Sequence, residues 1–320
     1  MRIAIIGGGI AGMAAAYELA KARAENSSIE YTLFESRDRL GGSIASQIMD
    51  GSVLECGPDS FLTEKPAAAE LCRQLGLGPD LLPSNDAARK TYIVVKNRLV
   101  ALPDGLMFLV PTKLVPTALS PLFSLSTKVR MGLELLHPPR PSQQDESVAA
   151  LVERHFGAEA VDRLADPLLS GIYGGDASQL SARSVLPKLV EMEAEYGSLT
   201  RGMLAAHKKM RAAMAARAAA ANSNGAASEG KPPAPRGIFT TLRGGLQQLV
   251  DAITSKLDPG SVRLNTVVDS LQRTANGWRV TAAGRTENYD AVIAASPAWA
   301  AGKLLTTVDA DLARNLEGIP

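Results

Sequence analysis

Cysteine, histidine and aromatic side chains are scarce in this chain. Its 320 residues hold two cysteines and three histidines, and aromatics make up 4%. Cys56 and Cys72 form no CxxC pair and suggest no disulfide framework, which fits a reducing compartment. His137, His155 and His207 lack metal-ligand spacing, so no metal is expected. Charge of one sign is also missing. A net charge of +1 gives no global field for nucleic acid or for an acidic partner. The one basic stretch, HKKMRAAMAAR, has no interleaved aromatics and reads as a solvated helix face, not a nucleic-acid surface. No uninterrupted apolar run reaches the length of a membrane-spanning helix. The opening MRIAIIGGG has neither the long apolar core nor the cleavage pattern of a secretory leader, and the cytoplasm is the expected compartment.

Core material is ample, with 46% hydrophobic residues, and the length suits two domains. RIAII reads as a buried strand, AGMAAAYELAKARAE as a helix and IEYTLFE as a second strand. SIASQIMDGSVLE predicts a hairpin turning at Asp50-Gly51, and TYIVVKNRLVALP another turning at Lys96-Asn97. PAAAELCRQLG predicts a helix opened by Pro66 and stopped by Gly76. The pattern is helical from about 106 to 218, with DESVAALVERHFG read as a helix with an acidic first turn. Residues 218–236 are low in complexity and read as a loop. GIFTTLRGGLQQLVDAITSKL then gives strand, turn and helix, and VRLNTVVDSL, GWRVTAAG and YDAVIAASP give three strand-like segments. The expected fold class is α/β: a dinucleotide-binding domain of the Rossmann type interrupted by a mixed β and α-helical substrate domain. Residues 1–84 and 237–305 are assigned to the first, 85–235 to the second, and 306–320 to the start of a return to it.

Gly7, Gly9 and Gly12 form GxGxxG between a strand and a helix. In that setting the first glycine makes the tight turn, the second lets the backbone reach a pyrophosphate, and the third lets helix and strand approach. Glu35 ends the second strand, set to accept from ribose hydroxyls and to disfavour a 2′-phosphate. ESRDRLGG then adds Arg39 and the bare positions Gly41 and Gly42 just past that carboxylate. A cation suits a pyrophosphate, and two glycines let a loop lie flat on a ligand. A second clamp of this kind suits a flavin that stays bound better than a nicotinamide released at each turnover.

GGGIAG, ESRDRLGG and LECGPDSF together resemble the flavin-dependent amine oxidase superfamily. Within it, GPDSFLTEKP, LPDGLMFLVPTK, PLLSGIYGGDASQLSARSVLPKLVEMEAEYGSLTRGM and FTTLRGGLQQLV resemble, in order, the porphyrinogen oxidases of haem biosynthesis. The resemblance covers essentially the whole chain and implies FAD as cofactor. It implies that Gly7, Gly8, Gly9, Ile10, Ala11 and Gly12 line the pyrophosphate, Glu35 and Ser36 the ribose, and Arg39 the phosphate side, with Gly41 and Gly42 beside them. Ser43 and the run Gly57, Pro58, Asp59 and Ser60 would follow the ribityl chain and ring, and Val268 would meet adenine through its backbone. The implied reaction is oxidation of a porphyrinogen by successive hydride transfers to the flavin, with dioxygen as the usual acceptor, yielding hydrogen peroxide. No Ser/His/Asp or Cys/His constellation is expected, and no catalytic side chain is named.

Gly171, in LLSGIYGGD, matches a position whose backbone faces the substrate; read from the residues alone, it could equally stop a helix. Plant, animal and myxobacterial members carry an arginine at the start of the 91–103 hairpin, where it holds a substrate propionate. Here that position is Thr91, preceded by Arg89 and Lys90. Gram-positive members acting on coproporphyrinogen III also depart from arginine there, which shifts the expectation toward that substrate over protoporphyrinogen IX. Residues 108–136 are apolar with few charges. They are read as a buried helical pair walling the substrate pocket, in preference to a membrane-facing surface with Lys113, Lys128 and Arg130 at lipid phosphates. Peripheral contact with the inner face of the cell membrane and a homodimer stay open as partners. The family's C-terminal part, which completes the pocket and embraces the flavin ring, has no counterpart here, so a C-terminally truncated chain or a complementing partner is expected. The alternatives are another member of the superfamily, such as an amine oxidase or carotenoid desaturase, and an inactive FAD-binding fragment.

Overall fold

The computed structural model describes residues 1–85, 90–107, 109–140, 144–223 and 237–319. Two compact units result: Met1–Ala87 with Pro232–Pro320, and Ala88–Lys231. Arg89 and most of the low-complexity stretch, 224–236, lie outside the described residues.

The first unit grows from its first three elements, β1 (Arg2–Ile6), α1 (Ile10–Glu25) and β2 (Glu30–Phe34). Short apolar runs without alternation suit strands covered on both faces, as in a parallel sheet between layers. β1 and β2 pair in parallel, with Ile6 opposite Phe34. Two strands from far downstream complete the sheet in parallel, Val262–Arg263 beside β2 and Ala291–Ala294 beside β1. On one face Ile5 and Leu33 are buried with Met13 of α1 and with Ile253 of helix Gln247–Thr254. On the other, Ala4, Ile6 and Phe34 pack with Leu271 and Val280 of a three-stranded antiparallel sheet.

The downstream region is richer in strands than its sequence suggests. VRLNTVVDSL splits into Val262–Arg263 and Val268–Thr274, which join different sheets. Arg285–Tyr289 forms a strand although its sequence, RTENY, is mostly polar. Its register against Gly277–Ala282 buries Tyr289, leaves Thr286 and Asn288 on the wet face, and sets half-buried Glu287 against Arg263. Near the C-terminus, helices Ala298–Leu305 and Ala310–Glu317 pack on each other.

Both expected hairpins form with left-handed turn residues. They are Asp50 and Gly51 (φ 50° and 75°) and, in the second unit, Lys96 and Asn97 (φ 47° and 62°). Such turns match the twist of the strands they join.

The second unit is mainly helical, around Leu122, Leu151, Phe156, Leu164 and Leu199. Three sequence expectations need correction there. Helix Val148–Phe156 starts at an Ser147 cap whose hydroxyl accepts from Ala150 N at 3.1 Å. Asp145 and Glu146 therefore precede the helix instead of filling its first turn, because a serine can cap the free N–H groups. Helix Leu199–Ser223 runs through 218–223, where alanine's helix propensity outweighs the low complexity.

The third correction concerns 108–136. Helix Leu125–Leu133 and the turn Glu134–Leu136 bury Thr127, Met131 and Glu134. The opposite stripe faces outward: Leu125 is 78% exposed, Val129 54%, Leu133 56% and Leu136 75%. The helix is turned with polar groups inward because Glu134 has buried work to do. Its carboxylate accepts from Leu199 N at 2.5 Å, Ser198 Oγ at 2.8 Å and His155 Nδ1 at 3.0 Å, so it caps the long helix at Leu199. His155 Nε2 lies 3.3 Å from Glu193, which also pairs with Arg154, itself paired with Glu146. Two histidines that look scattered in sequence thus come together, with the rings of His137 and His155 centred 5.2 Å apart.

Candidate functional site

The glycine loop lies at the C-terminal ends of the parallel strands, where ligands bind in sheets of this kind. A Cβ on Gly12 would run into the carbonyl oxygen of Gly7, so only glycine lets α1 pack this closely on β1. Gly9 differs. Nothing lies within 4 Å of where its Cβ would stand, so the middle of the loop presents bare backbone to open space. No side chain caps α1 and no acid sits in its first turn. Its free N–H groups and the positive end of its dipole are thus available to an anion.

Glu35 is buried, at 7% exposure, and is tied to the loop it faces. Its Oε2 accepts from Gly8 N at 2.7 Å, and its Oε1 accepts from Arg37 N at 2.8 Å and Ser36 Oγ at 3.2 Å. A carboxylate has about four acceptor sites, so capacity remains for a ribose hydroxyl. The downstream chain closes this corner: Glu35 N donates to Arg263 O at 2.9 Å and Thr266 N donates to Glu35 O at 2.8 Å. This brings Val268, buried at 7% exposure, near the end of β2.

ESRDRLGG folds back onto the glycine loop. Gly41 N donates to Gly8 O at 2.8 Å, Gly9 and Gly41 form a parallel bridge, and a Cβ on Gly42 would stand 3.0 Å from Gly9 Cα. The guanidinium of Arg39 lies along its own loop, donating to Gly42 O at 2.8 Å, Ile44 O at 2.9 Å and Leu40 O at 3.2 Å. Three of its five N–H groups therefore brace residues 40–44.

Ser43 and Gly57 are pressed together, since a Cβ on Gly57 would strike the Ser43 carbonyl. Pro58 and Asp59 are exposed and Ser60 is half-buried; Ser60 Oγ donates to Asp59 Oδ1 at 2.7 Å, and Asp59 O accepts from Thr241 Oγ1 at 2.6 Å. Glu55, missed by sequence reasoning, accepts from Leu246 N at 2.8 Å at the start of helix Gln247–Thr254 and anchors the hairpin that leads to Gly57. An acid at the end of a strand, two residues before Gly57, does not by its position announce a partner nearly two hundred residues downstream.

Thr91 and Gly171 belong to the second unit. Thr91 is exposed at the start of the hairpin, its carbonyl accepting from Leu102 N at 2.8 Å. Helix Asp166–Tyr173 runs past Gly171 and ends at Gly174, whose φ of 66° is left-handed. The helix stop is thus Gly174, and Gly171 is exposed with nothing within 4 Å of its Cβ position. A stretch of π-helix, Val161–Ala165, leads into this helix. Among the described residues no helix is long and apolar enough to cross a membrane.

A parallel sheet, a glycine loop opening to a bare helix N-terminus and a carboxylate at the end of the second strand define a dinucleotide-binding protein. Residues 10–319 match the family described as flavin containing amine oxidoreductase, and the chain belongs to that family. The cofactor this assigns is FAD, and the open backbone at Gly9 and the spare acceptors of Glu35 fit its phosphates and ribose.

The coproporphyrinogen III oxidase of Bacillus subtilis is 35% identical over 310 residues, covering 96% of this chain and 62% of its own length. Human protoporphyrinogen oxidase is 32% identical over 330 residues, covering 99% of this chain and 64% of its own length. A solved structure from Exiguobacterium sp. 255-15, provisionally named as a protoporphyrinogen oxidase, superposes with a TM-score of 0.79 at 29% identity, covering 99% of this chain and 63% of that one. The chain therefore spans about three fifths of the length of the relatives it matches.

Proposed function

We propose that this chain is the cofactor-holding and substrate-framing part of an FAD-dependent porphyrinogen oxidase. Bound FAD would supply the hydride acceptor, and the residues of the chain hold, orient and shield. Gly7–Gly12 and the N-terminus of α1 would receive the pyrophosphate, and Glu35 and Ser36 the adenosine ribose. Arg39, Gly41 and Gly42 would form the floor beneath them, and Ser43, Gly57, Pro58, Asp59 and Ser60 the path toward the ring. Val268 would meet adenine.

The observation that carries the substrate reading is Gly171. An exposed glycine inside a helix weakens that helix by about 1 kcal/mol relative to alanine. Here no neighbour within its own unit needs the missing side chain. Close approach of a flat macrocycle supplies a reason. Thr91, where an arginine would hold a propionate, favours coproporphyrinogen III over protoporphyrinogen IX. Anaerobic mixing of the flavin-loaded protein with each porphyrinogen, followed by bleaching of the flavin absorbance, tests this, since one bound flavin takes one of the three hydrides that a porphyrinogen must lose. Faster bleaching by coproporphyrinogen III is expected, and no bleaching with either substrate would overturn the reading. Admitting dioxygen should then let turnover run on to fluorescent porphyrin, with hydrogen peroxide formed.

The outward stripe Leu125, Val129, Leu133 and Leu136, with Val115 (68% exposed) and Leu119 (79%) nearby in sequence, supports peripheral membrane contact by the helical unit. Lys113 and Lys128 would meet lipid phosphates. A homodimer through the same face is the alternative occupant, and vesicle binding separates the two.

A further inference from the structure

Ser46 and Glu55 stand opposite each other at the open end of the hairpin formed by strands Ser46–Met49 and Ser52–Glu55. Ser46 Oγ donates to Glu55 Oε2 at 2.5 Å. The same pair meets the start of helix Gln247–Thr254: Leu246 N donates to Glu55 Oε1 at 2.8 Å and Gln247 N to Ser46 Oγ at 3.0 Å. That helix has no acid in its own first turn, so the carboxylate its dipole favours comes from the hairpin. The glycines of FTTLRGGLQQLV allow the approach. A Cβ on Gly245, whose φ is 90°, would stand 2.5 Å from Ser46 Oγ. Thr241 Oγ1, just before that turn, donates to Asp59 O at 2.6 Å. The strand, turn and helix at 239–254 thus grip residues 55–59 at both ends.

What this grip holds is continuous with the glycine loop. The Cβ position of Gly42 is 3.0 Å from Gly9 Cα, Ser43 follows Gly42, and a Cβ on Gly57 would stand 1.9 Å from Ser43 O. Cys56 N donates to Ala45 O at 2.7 Å and sets the register of that contact. Backbone therefore lies against backbone from Gly9 through Gly42 and Ser43 to Gly57. Arg39 braces the middle of this floor, and Glu55 braces its last strip. We infer that Glu55 is a cofactor-positioning residue: by tying the hairpin base to the start of helix Gln247–Thr254, it fixes where Gly57–Ser60 lie beside the flavin. The inference rests on the proposed path of Gly57–Ser60 toward the ring, and it gives the LRGG turn a role. Because Glu55 acts beyond the pyrophosphate loop, the adenosine half of the cofactor, held by that loop and Glu35, is insensitive to its loss.

The test titrates the chain, Glu55→Ala and Glu55→Gln with FAD and with ADP, which carries the adenosine and pyrophosphate without the ring. Glu55→Ala removes both bonds, and its FAD dissociation constant should rise about tenfold while that for ADP stays within about twofold. Glu55→Gln should recover most of the FAD affinity, because its carbonyl can still accept from Leu246 N and the Ser46 hydroxyl can accept from its amide. Equal losses for both ligands would mean a general loosening of the fold and overturn the inference, as would FAD affinity equal to the parent's. Should Glu55→Ala not fold, Ser46→Ala, which cuts the link to Gln247 N, decides: an FAD-only rise of about threefold is expected, and parental FAD affinity overturns the inference. A parent chain that binds FAD no more tightly than ADP would overturn the proposed path of Gly57–Ser60 and this inference together, whereas the other results leave that path standing.

Discussion

Glu35 and Gly8, separated by 27 residues, are joined by a 2.7 Å hydrogen bond from the glycine-loop N–H to the carboxylate. The carboxylate that would hold the ribose also fixes the floor for the phosphates. Glu35→Gln puts an amide NH2 where an acceptor is needed, facing either Gly8 N or Arg37 N. The expected cost to the flavin-free fold is about 1–3 kcal/mol by denaturant unfolding, with FAD affinity reduced at least tenfold. A variant that loses affinity with unchanged stability would mean that the bond to Gly8 carries no weight.

The glycines of one motif should separate into two classes. Gly12→Ala drives a methyl into the Gly7 carbonyl and should give little folded protein, whereas Gly9→Ala points a methyl into open space. Gly9→Ala should therefore fold with a Tm within a few degrees of the parent and fail to bind FAD. Expression yield, circular dichroism and flavin titration distinguish the two.

The buried imidazole of His155 makes the helical unit sensitive to alkali. Burial alone would lower its pKa, but hydrogen bonds and charge from Glu134 and Glu193 hold it above its ordinary value. For Glu193, burial opposes ionisation, while His155 and Arg154 bring the carboxyl down to about 2. A raised histidine stabilises fully below its unfolded value, near 6.5, and loses that contribution as pH rises through the folded value. A lowered glutamate stabilises above its unfolded value and loses that contribution as pH falls toward about 2. Tm should thus plateau from about pH 5 to 6.5 and decline on the alkaline side. His155→Gln should lower the plateau and flatten the alkaline decline. Parallel curves for the two proteins would remove His155 from the account.

Replacing Leu125, Val129 and Leu133 with glutamine should abolish co-sedimentation with anionic vesicles of phosphatidylglycerol. Because these side chains are exposed, stability should shift by no more than about 0.5 kcal/mol per site. Unchanged vesicle binding would overturn the membrane reading, and a change only in oligomeric state by light scattering would assign the stripe to another copy of the chain.

Much of the first unit is legible in sequence because its signals are local. RIAII, the glycines and EYTLF specify a strand, turn, helix and strand within 35 residues, and Asp-Gly and Lys-Asn mark both hairpins. What is not legible depends on distant partners. The inward-facing Glu134 makes sense only beside His155 and the helix start at Leu199. RTENY becomes a strand because Gly277–Ala282 offers it an edge. In the cofactor site, spacing puts Arg39 near the glycine loop but cannot tell which carbonyls its guanidinium will take.

The strand order has a consequence for biosynthesis. β1 and β2 emerge first, yet both of their outer edges are covered by strands at Val262–Arg263 and Ala291–Ala294. At about 5–20 residues per second, those covering strands follow on the order of ten seconds or more later. Throughout that interval two strands that the folded protein buries over four of their five residues carry unpaired edges, an invitation to the wrong neighbour. A ribosome-bound chain halted before residue 262 is therefore the form in which this protein should most need a chaperone.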